Sequence, residues 1–372
     1  MQVKSRFIAL SVLASLSIFV IMMNNDFGQI MSLTAGLTIL IAMLWMTEAL
    51  PIPVTSLIPF FAFPMAGVMT YQEASSALGS HVILLLMGGF MLSKSLEKSG
   101  VHRRLAVYML KLTGASNAKR LVLGFMLTSA VLSMWISNTA TTLMLLPIAL
   151  AIISSVDSPR LASAILLGIA YAASIGGVGT PIGTPPNIIF MSVYQQTTGT
   201  ELSFLDWMKT GIPVVILAIP VMALWLTRHL GQIPTVVLPD TGDWKPAERR
   251  VLISFLIIAL AWVFRPFWTQ WLGMTNVSDS TIAMAGVVMM CLIPDGNKEK
   301  PGQILDWDTA AQIPWGLLLL FGGGLSLSAA FTATGLPNGL MLNSSTGVIS
   351  GTPSLTGVYE SNVTALYSNG QN

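Results

Sequence analysis

Long apolar runs recur along the chain, and two of them are broken by polar or glycine-rich insertions. A helix crossing a bilayer needs about 20 mostly apolar residues. The pattern therefore predicts spans at residues 7–23, 30–50, 52–68, 82–98, 204–227, 251–271, 281–294 and 314–332. Two further stretches, 121–153 and 161–194, are interrupted. The first contains Ser137-Asn138-Thr139, and the second contains residues 176–187, reading Gly-Gly-Val-Gly-Thr-Pro-Ile-Gly-Thr-Pro-Pro-Asn. Unpaired backbone in hydrocarbon costs several kcal/mol per group, so irregular chain at that depth must be buried in protein or line a watery cavity. Paired breaks of this kind point to a binding site near the membrane midplane.

Basic residues give the direction of threading. Let the N-terminus be cytoplasmic and let 121–153 enter and leave on one side as a re-entrant hairpin. Every Lys and Arg except Lys209 and Arg265 then falls on the cytoplasmic side, as the positive-inside rule requires. A single crossing by 121–153 would instead move Arg160 and the Lys245, Arg249 and Arg250 cluster outside. The first span follows Lys4 and Arg6 but ends at Met22-Met23-Asn24-Asn25, which offers no small-residue cleavage site, so it reads as an anchor. Residues 82–93 resemble residues 316–327 in their Leu-rich, Gly-Gly pattern, and the two copies enter from opposite sides. That is the arrangement of inverted repeats.

Composition fits this reading. The 372 residues are 53% hydrophobic and 9% charged, against about 25% charged in a soluble domain. The expected fold is an all-α polytopic membrane protein. Cys291 is the single cysteine, and His81, His102 and His229 are far apart in sequence, so no metal site is expected from these residues. The glycine-rich break lacks the Lys-Ser/Thr ending of a phosphate loop. Neither a nucleophile–base pair nor paired carboxylates stand out, and neither enzymatic activity nor nucleic-acid binding is expected.

Three motifs in order, at 134–142, 171–187 and 314–324, resemble the divalent anion:sodium symporter family of dicarboxylate, tricarboxylate and sulfate carriers over roughly residues 1–335. The resemblance implies an inverted-repeat, elevator-type homodimer in a bacterial inner membrane. It implies sodium-coupled symport of a small anion such as succinate, malate, citrate or sulfate, with sodium as coupling ion and no cofactor. Scaffold helices and a cytoplasmic amphipathic helix would occupy 1–120. A transport-domain half with re-entrant hairpin and broken helix would occupy 121–230, and the start of the second repeat 231–335. Ser133, Ser137, Asn138 and Gly183 match the family's first sodium site, with the Asn138 side chain and the other three carbonyls as ligands. Asn138, Thr139, Thr184 and Pro185 match its substrate-contacting positions. Sodium is a hard cation suited to oxygen ligands. With no Arg or Lys inside the motifs, co-bound sodium would supply most of the charge balance for an anion. Ser133 and Thr141 read equally well as small polar residues of helix packing.

Residues 336–372 lack a second Ser-Asn-Thr and resemble a short immunoglobulin-like repeat unit of bacterial surface proteins. Alternating turn residues and short β-type runs predict a small β-rich tail on the periplasmic side. The second repeat would then be truncated, with its half of the site absent, and an inactive carrier stands beside the active symporter as a reading of the chain. The alternative function is a membrane anchor that displays this module. Glu48, ahead of Pro51 and Pro53, reads either as a coupling carboxylate at membrane depth or as a brace of the proline turn. Residues 94–111 read as an amphipathic surface helix. Trp262, Trp268 and Trp271, with Phe264 and Phe267, read as an interfacial aromatic belt.

Overall fold

Proline and glycine cut the apolar sequence into more helices than its hydropathy predicts. The computed structural model describes residues 2–114, 117–156, 158–231, 241–274, 276–333, 340–342 and 349–351. The chain divides into two units, Met1–Ile83 with Pro314–Asn372, and Leu84–Ile313.

In the first unit, α1 (Gln2–Asn24) pairs with α2 (Gln29–Thr47), and the Ser15 hydroxyl donates to the Gly36 carbonyl at 2.7 Å. Glu48 caps α2 in the left-handed region, with φ 48°. The residue is exposed. The span expected at 52–68 is instead two short helices, α3 (Ile52–Thr55) and α4 (Ile58–Met65). Pro53 and Pro59 sit at helix starts, and Pro64 lies inside α4. Proline is tolerated in a first turn, but elsewhere it removes a helix hydrogen bond. A short α5 (Tyr71–Ser76) follows, opened by a capping box between Thr70 and Glu73. Ile41, Phe63, Val68, Met69, Ala74 and Ala330 form the core of this unit.

The second unit starts within α6 (His81–Ser99). It continues through α7 (Val101–Thr113), α8 (Ala118–Ser133), α9 (Asn138–Ser155), α10 (Pro159–Gly177), α11 (Pro185–Thr198) and α12 (Phe204–Thr227). After these come α13 (Pro246–Val263), α14 (Arg265–Leu272), α15 (Asp279–Leu292) and α16 (Trp307–Ala310). The chain returns to the first unit with α17 (Trp315–Ala333). There Gly316 faces Pro53, and Gly323 faces the Ser56 backbone. Beyond it, β1 (Leu340–Leu342) and β2 (Ile349–Gly351) pair antiparallel, with Leu340 opposite Gly351. The rest of the expected β-type tail lies outside the described residues.

Among the described residues, five helices are long and apolar enough to cross a membrane, or six if α13 and α14 count as one broken span. Apart from the short tail ribbon, the regular structure among the described residues is all helical, and the protein is a polytopic membrane protein. The expected span 251–271 is bent by 75° between α13 and α14. Pro266, in the first turn of α14, explains the break: it has no N–H to donate to the Trp262 carbonyl, and its ring clashes with that carbonyl in a continuous helix. The aromatic belt is also corrected in part. Trp262 is 0% exposed, donates to the Asp279 carbonyl at 2.9 Å and stacks on Phe204 at 5.0 Å, so it is a core residue. Phe264, Phe267 and Trp271 remain exposed, as a belt requires.

The two interrupted stretches resolve into α8–α9 and α10–α11. Gly168 lies against Val122 and Met126, and Gly176 lies against the backbone of Ala130. Contacts that advance together along both helices mean that α8 and α10 run parallel. The chain must therefore return along α9 between them, so residues 118–155 double back on themselves. Small residues let the two backbones approach closely, and the Ser129 hydroxyl uses that proximity to donate to the Ile169 carbonyl at 2.8 Å.

Candidate functional site

The parallel alignment of α8 and α10 brings their C-terminal ends, Ser133 and Gly177, to the same level. The chain then restarts as α9 at Asn138 and as α11 at Pro185. Two carbonyl-rich helix ends and two helix starts meet there, and of the starts α9 carries the free amides. Helix C-termini favour cations and N-termini favour anions.

Ser137 caps α9, and its hydroxyl accepts from the Ala140 amide at 3.2 Å. This is the usual work of a Ser N-cap. It also turns Asn138 inward, where the Asn138 Oδ1 accepts from the Ser133 hydroxyl at 2.6 Å. A side chain added at Gly177 would put its Cβ 2.8 Å from Asn138 Oδ1 and 3.3 Å from both the Gly183 carbonyl and the Thr184 Cβ. One added at Gly183 would sit 2.5 Å from the Gly177 carbonyl and 3.0 Å from that of Ser133. Both positions are thus closed to any residue but glycine without local rearrangement.

Ser133, Asn138, Gly183 and Thr184 therefore converge on Gly177, with Ser137 adjacent in the chain. Thr139 is exposed in the first turn of α9, and among the described residues no hydrogen bond joins its side chain to this cluster. Pro185 opens α11, with Pro186 after it. Neither has an N–H, and the Asn187 amide is already bonded to the Thr184 carbonyl at 3.1 Å. The free donors for an anion must come chiefly from α9, whose first amides lack intrahelical partners. Thr141 is buried, and its hydroxyl has no hydrogen-bond partner among the described residues.

Two residues without an assigned role in the sequence reading hold this arrangement. Asn187 is buried, and its amide donates to the carbonyls of Gly177 and Thr180, both at 2.8 Å. The Thr180 hydroxyl donates to the Met134 carbonyl and accepts from the Gly183 amide at 3.1 Å. Across the break, Gly211 of α12 lies against Val178 and Gly179, and the Trp207 indole donates to the Val178 carbonyl at 2.8 Å. Asn187 and Thr180 both fall inside the glycine-rich motif, so the signal was their small polar character in an apolar stretch.

Residues 121–156 and 161–200 contain no Asp, Glu, Lys or Arg. Among the described residues, no three His, Cys, Asp or Glu side chains come together as a metal site. The cluster offers neutral oxygen donors only, a set suited to a hard cation of low charge. Residues 42–369 match the citrate transporter family. The chain belongs to this family. The match is in keeping with the divalent anion:sodium symporter resemblance, and it runs past Gly335, where that resemblance ends. The sodium-dependent dicarboxylate transporter SdcS of Staphylococcus saprophyticus subsp. saprophyticus is 38% identical over 328 residues, covering 82% of this chain and 63% of that protein. SdcS of Staphylococcus aureus (strain USA300) is 39% identical over 338 residues, covering 84% of this chain and 65% of that protein. The chain thus spans somewhat less than two thirds of the length of these curated relatives.

Proposed function

We propose that this protein carries small dicarboxylates across the membrane by symport with sodium. The observation that carries this reading is the meeting of Asn138 Oδ1 with Ser133 and the Gly177–Gly183 backbone in surroundings without a formal charge. Sodium binds Asn138 Oδ1 and the carbonyls of Ser133, Ser137 and Gly183. The dicarboxylate takes donors from the start of α9 at Asn138 and Thr139, with Thr184 and Pro185 forming the opposite wall. A dianion entering this site finds no resident cation, so sodium must bind first or together with it. Coupling then follows from electrostatics: each ligand makes the other's entry less costly. The names of the similar SdcS proteins support both sodium dependence and a dicarboxylate substrate.

The same reading includes a homodimer, inverted repeats and elevator motion, with α8–α9 as a re-entrant hairpin. It places the N-terminus in the cytoplasm and residues 336–372 in the periplasm. The charge asymmetry supports the orientation and the parallel alignment of α8 with α10 supports the hairpin, while the dimer and the elevator motion rest on the family resemblance.

Uptake of labelled succinate into proteoliposomes under an inward sodium gradient tests the proposal. Asn138→Ala should abolish uptake while the purified variant keeps the wild-type helical circular dichroism. Wild-type protein that takes up succinate equally well in sodium and in choline would overturn the reading.

A further inference from the structure

We propose that Asn187, acting with Thr180, is a positioning residue that sets the spacing of the oxygen cluster and with it the affinity for sodium and the discrimination against lithium. This rests on the sodium-coupled reading above. Neither side chain is counted as a ligand: the two Asn187 amide hydrogens and the Thr180 hydroxyl are used to bond the backbone around the cluster. Asn187 gives both of its amide hydrogens away, one to the last carbonyl of α10 at Gly177 and one to the Thr180 carbonyl in the break, each at 2.8 Å. A planar NH2 group offers two hydrogens at a fixed divergence, so two carbonyls bonded to it are held at a fixed mutual distance.

Thr180 extends the frame in two directions. Its hydroxyl donates to the Met134 carbonyl, in the turn after α8, and accepts from the Gly183 amide at 3.1 Å. The turn that presents Asn138, the end of α10 and the start of α11 are thereby joined through two neutral side chains. Both side chains are buried, so water does not readily take over either role. A Cβ at Gly183 would lie 2.5 Å from the Gly177 carbonyl, and one at Gly177 would lie 3.3 Å from the Gly183 carbonyl, so a shift of either peptide changes the distance between the Gly183 carbonyl and Asn138 Oδ1. Sodium and lithium differ mainly in size, so a fixed ligand spacing is what separates them. Outer partners of ion ligands typically contribute about 10–100-fold to affinity.

The test is sodium and lithium titration of labelled succinate binding by the full chain in detergent, alongside thermal melting. Asn187→Ala should raise the sodium half-saturation about 10–100-fold and narrow the sodium–lithium gap, with binding recovered at high sodium. Thr180→Val keeps the shape but loses the hydroxyl, and should shift the titration in the same direction. Thr180→Ser keeps the hydroxyl and should behave like the wild type. The serine–valine pair also decides the matter if Asn187→Ala fails to fold. Lower melting temperatures with unchanged sodium half-saturation and unchanged ion preference in Asn187→Ala and Thr180→Val would overturn the proposal and leave a structural role. Sodium-independent binding by the wild type would instead overturn the functional reading beneath it.

Discussion

Two breaks in apolar helices, both in the Leu84–Ile313 unit, satisfy their polar groups in opposite ways. At the corner between α13 and α14, charge fills the break. Arg265 Nε lies 2.8 Å from Asp279 Oδ1, Nη2 lies 2.9 Å from Glu201 Oε1, and Nη1 donates to the Val277 carbonyl at 3.2 Å. Asp279 in turn accepts from the Phe204 amide at 3.0 Å. Around Gly177 and Gly183 the partners are amides, hydroxyls and carbonyls, with no charge present. A break closed by its own ion pairs already holds its counter-charges, so a visiting ion has little to offer it. One closed only by dipoles keeps the field of four helix ends available. The first kind is suited to holding a fold and the second to binding and releasing cargo.

The largest effect that would sharpen this contrast is expected at Arg265. Arg265→Ala leaves Asp279 buried without its counter-charge, and loss of one partner of a buried pair costs about 3–5 kcal/mol. The variant should melt far below the wild type in detergent, whereas Asn138→Ala should melt close to it. Equal melting of the two variants would erase the distinction between a structural and a functional break.

Next comes Gly183→Ala. The added Cβ would sit 2.5 Å from the Gly177 carbonyl, and forcing an extra methyl into a packed site costs about 1–3 kcal/mol. A moderate drop in melting temperature should accompany a weaker sodium dependence of succinate binding, because the strained group is itself an expected ligand. Unchanged sodium titration would remove the Gly183 carbonyl from the ion site.

The smallest effect belongs to an exposed ion pair, Lys98 with Asp306, which is the solvated counterpart of the Arg265 corner. The Lys98 hydrogen bond, helped by the Thr309 amide, lowers the Asp306 carboxyl to about 2. A depressed carboxylate contributes stability above its ordinary pKa and loses it as the pH falls through about 2. Lys98→Gln should raise the Asp306 titration toward the ordinary carboxylate value, read by carboxyl-resolved NMR. At neutral pH the stability change should stay below about 1 kcal/mol, as for other exposed pairs. A change as large as that of Arg265→Ala would mean that burial is not what separates the two kinds of pair.

Sequence alone located both site breaks, because Ser137-Asn138-Thr139 and the glycine-rich run are conspicuous against uncharged, apolar flanks. The assignment of Ser133 and Gly183 to one cluster came from family resemblance, since those residues lie far apart in the chain and only the α8–α10 alignment joins them. The division of 52–68 into α3 and α4 escaped hydropathy, which counts Pro53, Pro59 and Pro64 as tolerable. Trp262 misled for a related reason: an indole at a helix end suits an interface and a core equally well until its neighbour Phe204 is known. The bracing by Asn187 and Thr180 was hidden because a small polar side chain finds its partners only through tertiary approach.

The pairing of α8 with α10 also sets a schedule for synthesis. When α9 leaves the ribosome, the hairpin's principal packing partner does not yet exist, and at about 5–20 residues per second the wait for α10 lasts some seconds. During that interval Ser137, Asn138 and Thr139 must be kept wet or sheltered by the insertion machinery. Slowing translation between Ser158 and Gly177 should prolong this exposed state, so yield in the membrane depends on how quickly the third leg arrives.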